Sequence, residues 1–418
     1  MNLLPRQKKR LLVAALPGGN GNSNGNFNNV GNNGNWWSAS ENNANNAYNR
    51  NMNYNNENVN RNNNNKSNNL LSVRCLQHCD GGAGKPASSL FLELHKAYMD
   101  ARKHKRNTVN QLKFERKLEA ELLSLEQELS NRTYEIRHSV CFINELPVKR
   151  EIIAADFRDR IIHHFLYNRI YQIFDKQFIY DSYSCRVGKG TLFGIKRVQK
   201  FLKSPALWVL RLDIKGFFMS INREILFNLV VKGLNKKIQD LDLYLIRKIV
   251  FNEPLKNAVF KSPPSAWADL PKDKSLKFSG LNCGLPIGNL TSQMFANVYL
   301  NPLDHFVKRI LKIKCYGRYV DDMVLIHSDK QILLNAISQI REFLSQELKL
   351  TLHPRKIRLQ QATKGFDFLG AHILPFHLLP GKRIAGNFRE CIFNPFPNPQ
   401  KQTQRVQSYL GLLTHFGG

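Results

Sequence analysis

Acidic residues and long apolar runs are both scarce in this sequence. Its 418 residues include 61 Lys and Arg against 32 Asp and Glu, so the formal net charge is +29. No window approaches the roughly 18 uninterrupted apolar residues of a membrane span, and none is expected. The apolar run Leu11–Leu16 is short even for the core of a secretory signal peptide. The charge surplus favours a polyanionic partner, most simply a nucleic acid.

Cysteine is sparse as well. Seven cysteines, an odd number, are scattered along the chain. This pattern is typical of reduced thiols in a cytosol and argues against a disulfide framework, so we expect a cytoplasmic protein. Cys75 and Cys79 flank His78, but no second pair of ligands follows at the spacing of a zinc site. Metal binding is therefore not expected there.

Apolar residues are missing from one block in particular. From Asn20 to Asn69, 26 of the 50 residues are asparagine. Such a block lacks the apolar surface that would offset chain entropy, so the sequence predicts disorder. Residues 1–69 hold 7 Lys and Arg against 2 Asp and Glu, a net +5, which leaves +24 for the rest of the chain.

The rest of the chain has the composition of a globular protein with mixed secondary structure. Apolar residues at helical spacing predict two helices between Ser89 and Arg132. No strand–helix repeat of fixed period is present, which favours an α+β fold. Further predicted helices span 157–174, 223–250, 289–311 and 333–348; predicted strands or hairpins span 142–155, 208–214, 315–326 and 364–374; and the proline-rich stretch 254–278 is a predicted loop.

Carboxylates stand at the ends of two predicted apolar strands. Asp213 closes the segment WVLRLD, and Asp321 and Asp322 lie between YV and MVLI. Acids in apolar settings are unfavourable unless a cation meets them, and a pair of divalent cations would do so. Mg²⁺ prefers oxygen ligands and keeps waters or phosphate oxygens, so two or three carboxylates suffice. The structural alternative is that the Asp-Asp pair is a turn and that Asp213 caps a strand end.

The motifs around these acids resemble those of reverse transcriptases. Residues 318–322 (RYVDD) resemble the YxDD box, residues 212–218 (LDIKGFF) the motif of the first carboxylate, and residues 284–289 (GLPIGN) the glycine-rich turn between them. The three occur in the family's order and spacing. Residues 150–160 and 183–191 resemble the fingers segment of bacterial and phage group II-like reverse transcriptases, and residues 364–370 resemble the motif after the palm. Residues 285–301 resemble the retron and diversity-generating-retroelement branch, and the whole resemblance covers roughly residues 90–375.

The resemblance implies an RNA-directed DNA polymerase that uses two Mg²⁺ ions, with Mn²⁺ as a substitute. Asp213 and Asp321 would bridge both metals, Asp322 would lie alongside, and the backbone carbonyl of Ile214 would be a further ligand. One metal would activate the primer 3′-hydroxyl, and the other would hold the triphosphate. The implied partners are template RNA, the cDNA or primer strand, and dNTPs.

The resemblance also implies residues that shape the nucleotide site. Phe218 matches the aromatic steric gate that excludes ribonucleotides, although a core phenylalanine is the alternative. Gly288 would let backbone approach the nucleotide. Ile287 stands where many relatives carry glutamine, and an apolar residue cannot hydrogen-bond there. The diversity-generating retroelement branch commonly has this isoleucine and is error-prone at template adenines.

Basic residues would meet the phosphates of the nucleotide. Arg158 best matches the fingers arginine on the triphosphate, because the fixed fork of donors of an arginine suits phosphate. Lys149 and Arg150 are second choices for this role. Lys356, in the basic stretch HPRKIR, is either a lysine near the pyrophosphate or a solvated surface charge.

The asparagine block resembles a translated template repeat of a diversity-generating retroelement. Residues 34–40 (GNWWSAS), 46–48 and 71–77 (LSVRCLQ) resemble the end of a C-type-lectin-like variable protein, the target of such elements. Asparagine codons are rich in adenine, the base that is copied with errors. We therefore expect residues 1–79 to be a template repeat in frame with the polymerase and not a working domain. The generic alternative is a low-complexity tail.

The predicted organisation is a right-hand polymerase with a split βαβ-type palm. Residues 80–87 would be a linker, 88–204 the fingers, 205–375 the palm and 376–418 the start of a thumb. We expect it to copy a template-repeat RNA into cDNA, with errors at adenines, for mutagenic retrohoming into a target gene. A small basic accessory protein usually joins the polymerase in this branch. The alternatives are a retron-type enzyme that makes RNA-primed single-stranded DNA and a catalytically silent RNA-binding or lectin-like protein.

Overall fold

The computed structural model gives the chain as two compact units, Met1–Pro86 and Ala87–Gly418. In the first unit it describes six segments, and in the second nearly all residues. The described residues are 20–22, 27–28, 33–41, 45–53, 59–65, 69–70, 88–103, 108–145, 148–395 and 398–416. Within them, no helix has both the length and the apolar character needed to cross a bilayer.

The N-terminal unit contains short antiparallel strands. They form two three-stranded sheets, one in the order β2-β1-β6 and one in the order β3-β4-β5, and they span Asn20–Asn22 (β1), Phe27–Asn28 (β2), Asn33–Glu41 (β3), Asn46–Asn53 (β4), Val59–Asn65 (β5) and Asn69–Leu70 (β6). The prediction of disorder is wrong for these segments. Ladder hydrogen bonds join backbone groups whatever the side chains are, and asparagine tolerates stacked strands. The segment 71–79 and the predicted linker 80–87 lie outside the described residues.

The second unit is a mixed α+β structure, as predicted. Its helices are α1 (Ser89–Arg102), α2 (Val109–Glu115), α3 (Leu118–Asn131), α4 (Phe157–Asp175), α5 (Thr191–Phe201), α6 (Phe217–Ser220), α7 (Arg223–Leu234), α8 (Asp240–Val250), α9 (Leu290–His305), α10 (Lys330–Glu347), α11 (Lys382–Phe393) and α12 (Pro399–Leu413). Its strands are β7 (Val140–Asn144), β8 (Arg150–Ala154), β9 (Trp208–Leu212), β10 (Val259–Phe260), β11 (Cys315–Tyr319), β12 (Asp322–His327), β13 (Arg358–Gln361), β14 (Phe366–Phe368), β15 (Ala371–Ile373) and β16 (Leu378–Pro380).

Backbone breaks divide two of the predicted helices. The single helix expected over 223–250 is α7 and α8, because Asn235 adopts a φ of 47°, which an α-helix cannot continue through. The two helices expected before Arg132 are three, since the backbone leaves helical geometry at Lys117, with a φ of −126° and a ψ of 31°. Helix α5 was not predicted. The remaining predicted helices and hairpins are confirmed to within a few residues.

A four-stranded antiparallel sheet, here called the central sheet, has the strand order β11-β12-β9-β13. Alternate residues of β9 enter different apolar clusters: Leu210 and Leu212 pack with α9 and α10, and Val209 packs with α5 and the β14–β16 sheet. The central sheet is therefore buried on both faces. Burial on both faces explains the apolar runs of β9 (WVLRL) and β12 (DMVLIH), the two inner strands.

Two further contacts connect the central sheet to its surroundings. Residues Asp181–Tyr183 run parallel to β11, because Arg318 N donates to Asp181 O at 2.9 Å and Tyr183 N donates to Arg318 O at 2.9 Å. On the other side, the β7–β8 hairpin approaches the glycine-rich turn, where Ile153 N donates to Ile287 O at 2.8 Å. Both contacts join segments that are distant in sequence.

Candidate active site

Three carboxylates converge at one end of the central sheet. Asp213 directly follows β9, and Asp321 and Asp322 form the β11–β12 turn and the first residue of β12. The antiparallel register pairs Leu212 with Met323, which places the residue after β9 level with the start of β12. The predicted grouping of these acids is therefore present in the fold.

The β11–β12 turn is strained and braced. Val320 has a φ of 55°, a conformation that is unfavourable for a β-branched residue. Its carbonyl accepts a hydrogen bond from Arg318 Nη1 at 2.7 Å. The tight turn carries Asp321 at its tip, between the paired residues Tyr319 and Asp322. The strain is thus located at the segment that presents the carboxylates.

Burial and mutual repulsion disfavour ionisation of these acids. Burial raises the pKa of Asp321 to about 7, and the charges of Asp322 and Asp213 add to the shift. Burial and Asp213 also raise the pKa of Asp322, against the opposing effect of Arg211, Lys356 and Arg150. The cluster therefore has an excess of negative charge that a bound cation would neutralise.

Lys356 is part of this cluster. Its Nζ donates to Asp213 Oδ2 at 2.8 Å, and although burial lowers the pKa of Lys356, this hydrogen bond and the surrounding carboxylates raise it overall. The backbone holds the lysine in place, since His353 N donates to Asp213 O at 2.8 Å. Of the two alternatives, the structure supports a lysine of the site and not a purely solvated surface charge.

Ile214 is buried directly behind Asp213. It forms an isolated antiparallel bridge with Leu352, in which the acceptors are the carbonyls of Asp213 and Thr351. The carbonyl oxygen of Ile214 accepts neither of these two hydrogen bonds. Its oxygen is therefore a candidate ligand, as the sequence predicts.

Phe218 and Ile287 share one apolar cluster beside the carboxylates. Both are half-buried and pack against a buried cluster of Cys141, Ile153, Met219 and Leu276. Gly288 has a φ of 128°, and a Cβ there would lie 3.1 Å from Ile153 O. The close approach of β8 thus requires glycine at this position. Sequence reasoning attributes that requirement to the nucleotide alone.

Arg158 does not reach the carboxylates. Its guanidinium is buried in the helices of the second unit, where Nη2 lies 2.5 Å from Glu128 Oε1 and Nε lies 3.5 Å from Glu121 Oε2. It also stacks over Tyr134. The assignment of Arg158 to the triphosphate is therefore corrected, because two carboxylates of α3 satisfy it inside the fold.

Arg150, one of the two second choices for contact with the triphosphate, lowers the pKa of Asp322 through its charge. It is the exposed first residue of β8. Lys149, the other second choice, pairs with Asp269, with 3.9 Å between Nζ and Oδ2. Arg150 thus acts on Asp322 through its charge, whereas Lys149 pairs elsewhere.

Sequence reasoning missed the roles of two arginines near the site. Arg211 lowers the pKa of Asp322 and lies two residues before Asp213, on the same face of β9; the period of two along a strand could have indicated it. Arg318, within the YxDD box, is completely buried against Asp304. No local sequence pattern marks that pairing.

The donors present fit hard divalent cations. They are carboxylate oxygens and one backbone carbonyl, which Mg²⁺ prefers. In the described part of the chain, no group of three or more His, Cys, Asp or Glu side chains is close enough to hold an ion by itself. Ions bound here would therefore need waters or substrate phosphates to complete their coordination, which is common for Mg²⁺.

Comparison with known proteins identifies the family. Residues 148–373 match the family model described as reverse transcriptase (RNA-dependent DNA polymerase). This segment contains all three carboxylates, Phe218, the glycine-rich turn and Lys356. No curated protein matches the chain.

Solved telomerase structures resemble the chain at low identity. The telomerase of Candida albicans in complex with the TWJ fragment of telomeric RNA has a TM-score of 0.40 at 11% identity, covering 66% of this chain and 53% of that one. Apo telomerase from Candida tropicalis has a TM-score of 0.43 at 10% identity, covering 66% and 52%. A form truncated from the C-terminal domain has a TM-score of 0.41 at 10% identity, covering 59% and 55%. The chain thus spans about half the length of these structures.

The family model covers more than half of the chain and includes every residue of the carboxylate cluster. The predicted right-hand polymerase fold is the fold of that family. The chain belongs to the reverse transcriptase family.

Proposed function

We propose that the chain is an RNA-directed DNA polymerase that copies template RNA into cDNA from dNTPs. The convergence of Asp213, Asp321 and Asp322 at one end of the central sheet is the observation that carries this proposal. A catalytically silent RNA-binding protein would have no need of three clustered acids whose ionisation the fold disfavours.

The residues of the cluster would act mainly by positioning and charge neutralisation. Asp213, Asp321 and Asp322, with the carbonyl of Ile214, would hold two Mg²⁺ ions. These ions, when bound, lower the pKa of the primer 3′-hydroxyl and stabilise the leaving pyrophosphate. Lys356 would shift from Asp213 towards phosphate.

Further side chains would orient the nucleotide. Arg150 would contribute a bidentate cation to the triphosphate from the exposed end of β8. Phe218 would exclude the ribose 2′-hydroxyl, supported by the apolar cluster that fixes its ring.

A primer-extension assay on an RNA template tests the activity. The wild-type chain should extend the primer, and Asp321→Asn should reduce the rate at least roughly a hundredfold, because a ligand of both metals is weakened. The exposed Asp240→Asn variant, in α8 and outside the site, is the matched control. Equal extension by wild type and Asp321→Asn would refute the assignment.

We further propose that the enzyme belongs to the diversity-generating branch and makes errors at template adenines. Ile287 in the glycine-rich turn and the asparagine block support this, with residues 1–79 as a translated template repeat. A small basic accessory protein would then join the polymerase. Fingers over 88–204, palm over 205–375 and the start of a thumb over 376–418 remain our proposed boundaries.

Sequencing of the gene and its surroundings tests this assignment. The segment that encodes Asn20–Asn69 should have a near-copy elsewhere that differs mainly at adenines. A retron-type enzyme, which makes RNA-primed single-stranded DNA, would have no such copy. Its absence would leave the retron as the preferred alternative.

A further inference from the structure

The 254–278 segment, between α8 and the glycine-rich turn, is fixed at its first half by the β7–β8 hairpin. Strand β10 within it runs parallel to β7, and Val259 N donates to Ser139 O at 2.8 Å. Further along, Ser262 Oγ accepts a hydrogen bond from Ile143 N at 3.0 Å. This part of the segment is thus an added strand of the hairpin.

Glu151 fixes the second half. This carboxylate is only 2% exposed and accepts three hydrogen bonds: from Trp267 Nε1 and Ser275 Oγ, both at 2.9 Å, and from Leu276 N at 2.7 Å. Hydrogen bonds to a buried ionised group are among the stronger ones in proteins. The segment is therefore preorganised although it has little regular secondary structure.

The segment also borders the nucleotide site. A Cβ on Gly216, three residues after Asp213, would lie 2.8 Å from the carbonyl oxygen of Asp273. Leu276 packs in the same cluster as Phe218 and Ile287. The segment thus lies against the backbone that follows Asp213 and against the cluster that holds Phe218 and Ile287.

A cavity of about 580 Å³ opens between the segment and Glu151. Its walls include Phe260, Trp267 and Phe278, and the first two rings meet edge to face with centroids 5.7 Å apart. Phe260 is 56% and Phe278 53% exposed, which is unusual for phenylalanine in a fixed segment. The cavity is large enough to admit a nucleobase.

Lysines surround these rings. Lys272 and Lys277 place their Nζ atoms 5.7 and 6.0 Å from the centroid of Phe278. In the described residues, the ion pairs of this region are Lys149–Asp269 and Lys256–Glu253. Lys261, Lys272, Lys274 and Lys277 take part in neither, and all four are exposed. Their charge is therefore available to a polyanion.

We propose that the 254–278 segment binds single-stranded RNA beside the catalytic centre, with an unpaired base stacked against Phe278 in the cavity and the lysines on the flanking phosphates. Exposed aromatic faces among cations are the combination that binds single strands, because every base has a face to stack and every linkage a phosphate. A duplex hides its base faces, so the segment selects unpaired template. This inference rests on the proposed polymerase function for the identity of the strand.

Fluorescence anisotropy with a labelled single-stranded RNA, without dNTPs or divalent cations, tests the proposal on the full chain. Phe278→Ala should weaken binding roughly five- to a hundredfold, and Phe278→Trp should restore it, because a stacking face returns. Phe393→Ala, which removes an even more exposed aromatic outside the segment, is the control. The double variant Lys272→Gln/Lys277→Gln should lower the slope of log affinity against log salt by about 0.7 for each phosphate that a lysine no longer neutralises.

The outcomes separate this proposal from the polymerase assignment. Asp321→Asn should bind the RNA as wild type does while losing extension. Unchanged binding by Phe278→Ala, or an equal loss in Phe393→Ala, would overturn the stacking site and leave the polymerase assignment intact. An equal loss of affinity for a blunt duplex in Phe278→Ala would also overturn it, because a duplex offers no unpaired base to stack on the ring. Loss of binding in Phe278→Ala with a wild type that extends no primer would refute only the polymerase assignment.

Discussion

Arg318 and Asp304 form a bidentate ion pair that is completely excluded from solvent. Nε lies 2.7 Å from Oδ1 and Nη2 lies 2.6 Å from Oδ2, and Tyr316 donates its hydroxyl to the same carboxylate at 2.7 Å. The remaining nitrogen of the guanidinium, Nη1, donates to the carbonyl of the strained Val320. One arginine thus joins helix α9 to the turn that carries Asp321.

Replacement of Arg318 should change the Mg²⁺ requirement of primer extension more than it changes the affinity for RNA. Arg318→Lys keeps the charge but loses the fork, so we expect the turn to lose its support. The rate of extension should fall roughly 10- to 100-fold, with a higher Mg²⁺ concentration at half-maximal rate, because a small displacement of a reacting group is enough for this loss. Mg²⁺ titrations of extension measure it.

Arg309, an exposed arginine after α9, provides the matched control: Arg309→Lys should leave the Mg²⁺ titration unchanged. Arg318→Met should in addition lower the free energy of unfolding by about 3–5 kcal/mol, since Asp304 would be left buried without a partner. An unchanged Mg²⁺ requirement in Arg318→Lys would show that the ion pair is structural only.

Lys356 should have opposite effects on metal binding and on turnover. The ammonium of Lys356 pairs with Asp213 Oδ2 and so competes with Mg²⁺ for this carboxylate. Lys356→Gln should therefore let Mg²⁺ bind at a lower concentration. Turnover should nevertheless fall, because a cation near the leaving pyrophosphate is lost. Metal binding can be followed by calorimetry on the free enzyme and turnover by single-nucleotide addition. The neighbouring exposed Arg355→Gln serves as control, and parallel changes in both quantities would contradict the assignment.

Ile287 should influence which base is inserted opposite adenine. Ile287→Gln restores a side chain that can hydrogen-bond near the incoming nucleotide, so misincorporation at template adenines should decrease. Ile287→Val keeps an apolar side chain against the buried cluster that contains Ile153 and Leu276, and it should leave the errors as they are. Sequencing of cDNA made on one RNA template measures the spectrum. If both variants keep the wild-type error spectrum, Ile287 has no role in fidelity.

His163 should make the fold sensitive to acid. Burial, with smaller effects of His164 and Arg160, lowers the pKa of His163 from 6.5 to about 3, and its Nδ1 lies 2.7 Å from Thr291 Oγ1. The folded chain therefore keeps this imidazole neutral while the unfolded chain protonates it below pH 6.5, so stability is lost as the pH falls from 6.5 towards 3. From pH 7 to pH 5 the contribution is about 2 kcal/mol.

Urea unfolding at the two pH values measures this contribution. His163→Asn should lose less stability than wild type between them, and the exposed His377→Asn should behave as wild type. The comparison with wild type cancels the contributions of other titrating groups to the change in stability. Asp159 is one of them, since burial raises its pKa to about 6. Equal losses in wild type and His163→Asn would contradict the shift.

Local pattern was sufficient for much of the fold and for the carboxylates. Alternation and apolar runs predict β9, β11 and β12, because a strand buried on both faces selects apolar residues at each position. The breaks at Lys117 and Asn235 were not predictable, since a single residue with an unusual φ ends a helix without changing the apolar period.

The sequence by itself determined the family motifs, their order and the three acids, because short-range spacing fixes which residues end a strand or fill a turn. The tertiary structure decided which cations act on those acids: Lys356 pairs with Asp213 and the charge of Arg150 lowers the pKa of Asp322, whereas Arg158 is buried against Glu128. It also decided that Arg318 pairs with Asp304 and that Glu151 fixes a segment more than a hundred residues away. Long charged side chains can reach several partners, and only the packing of distant elements selects one.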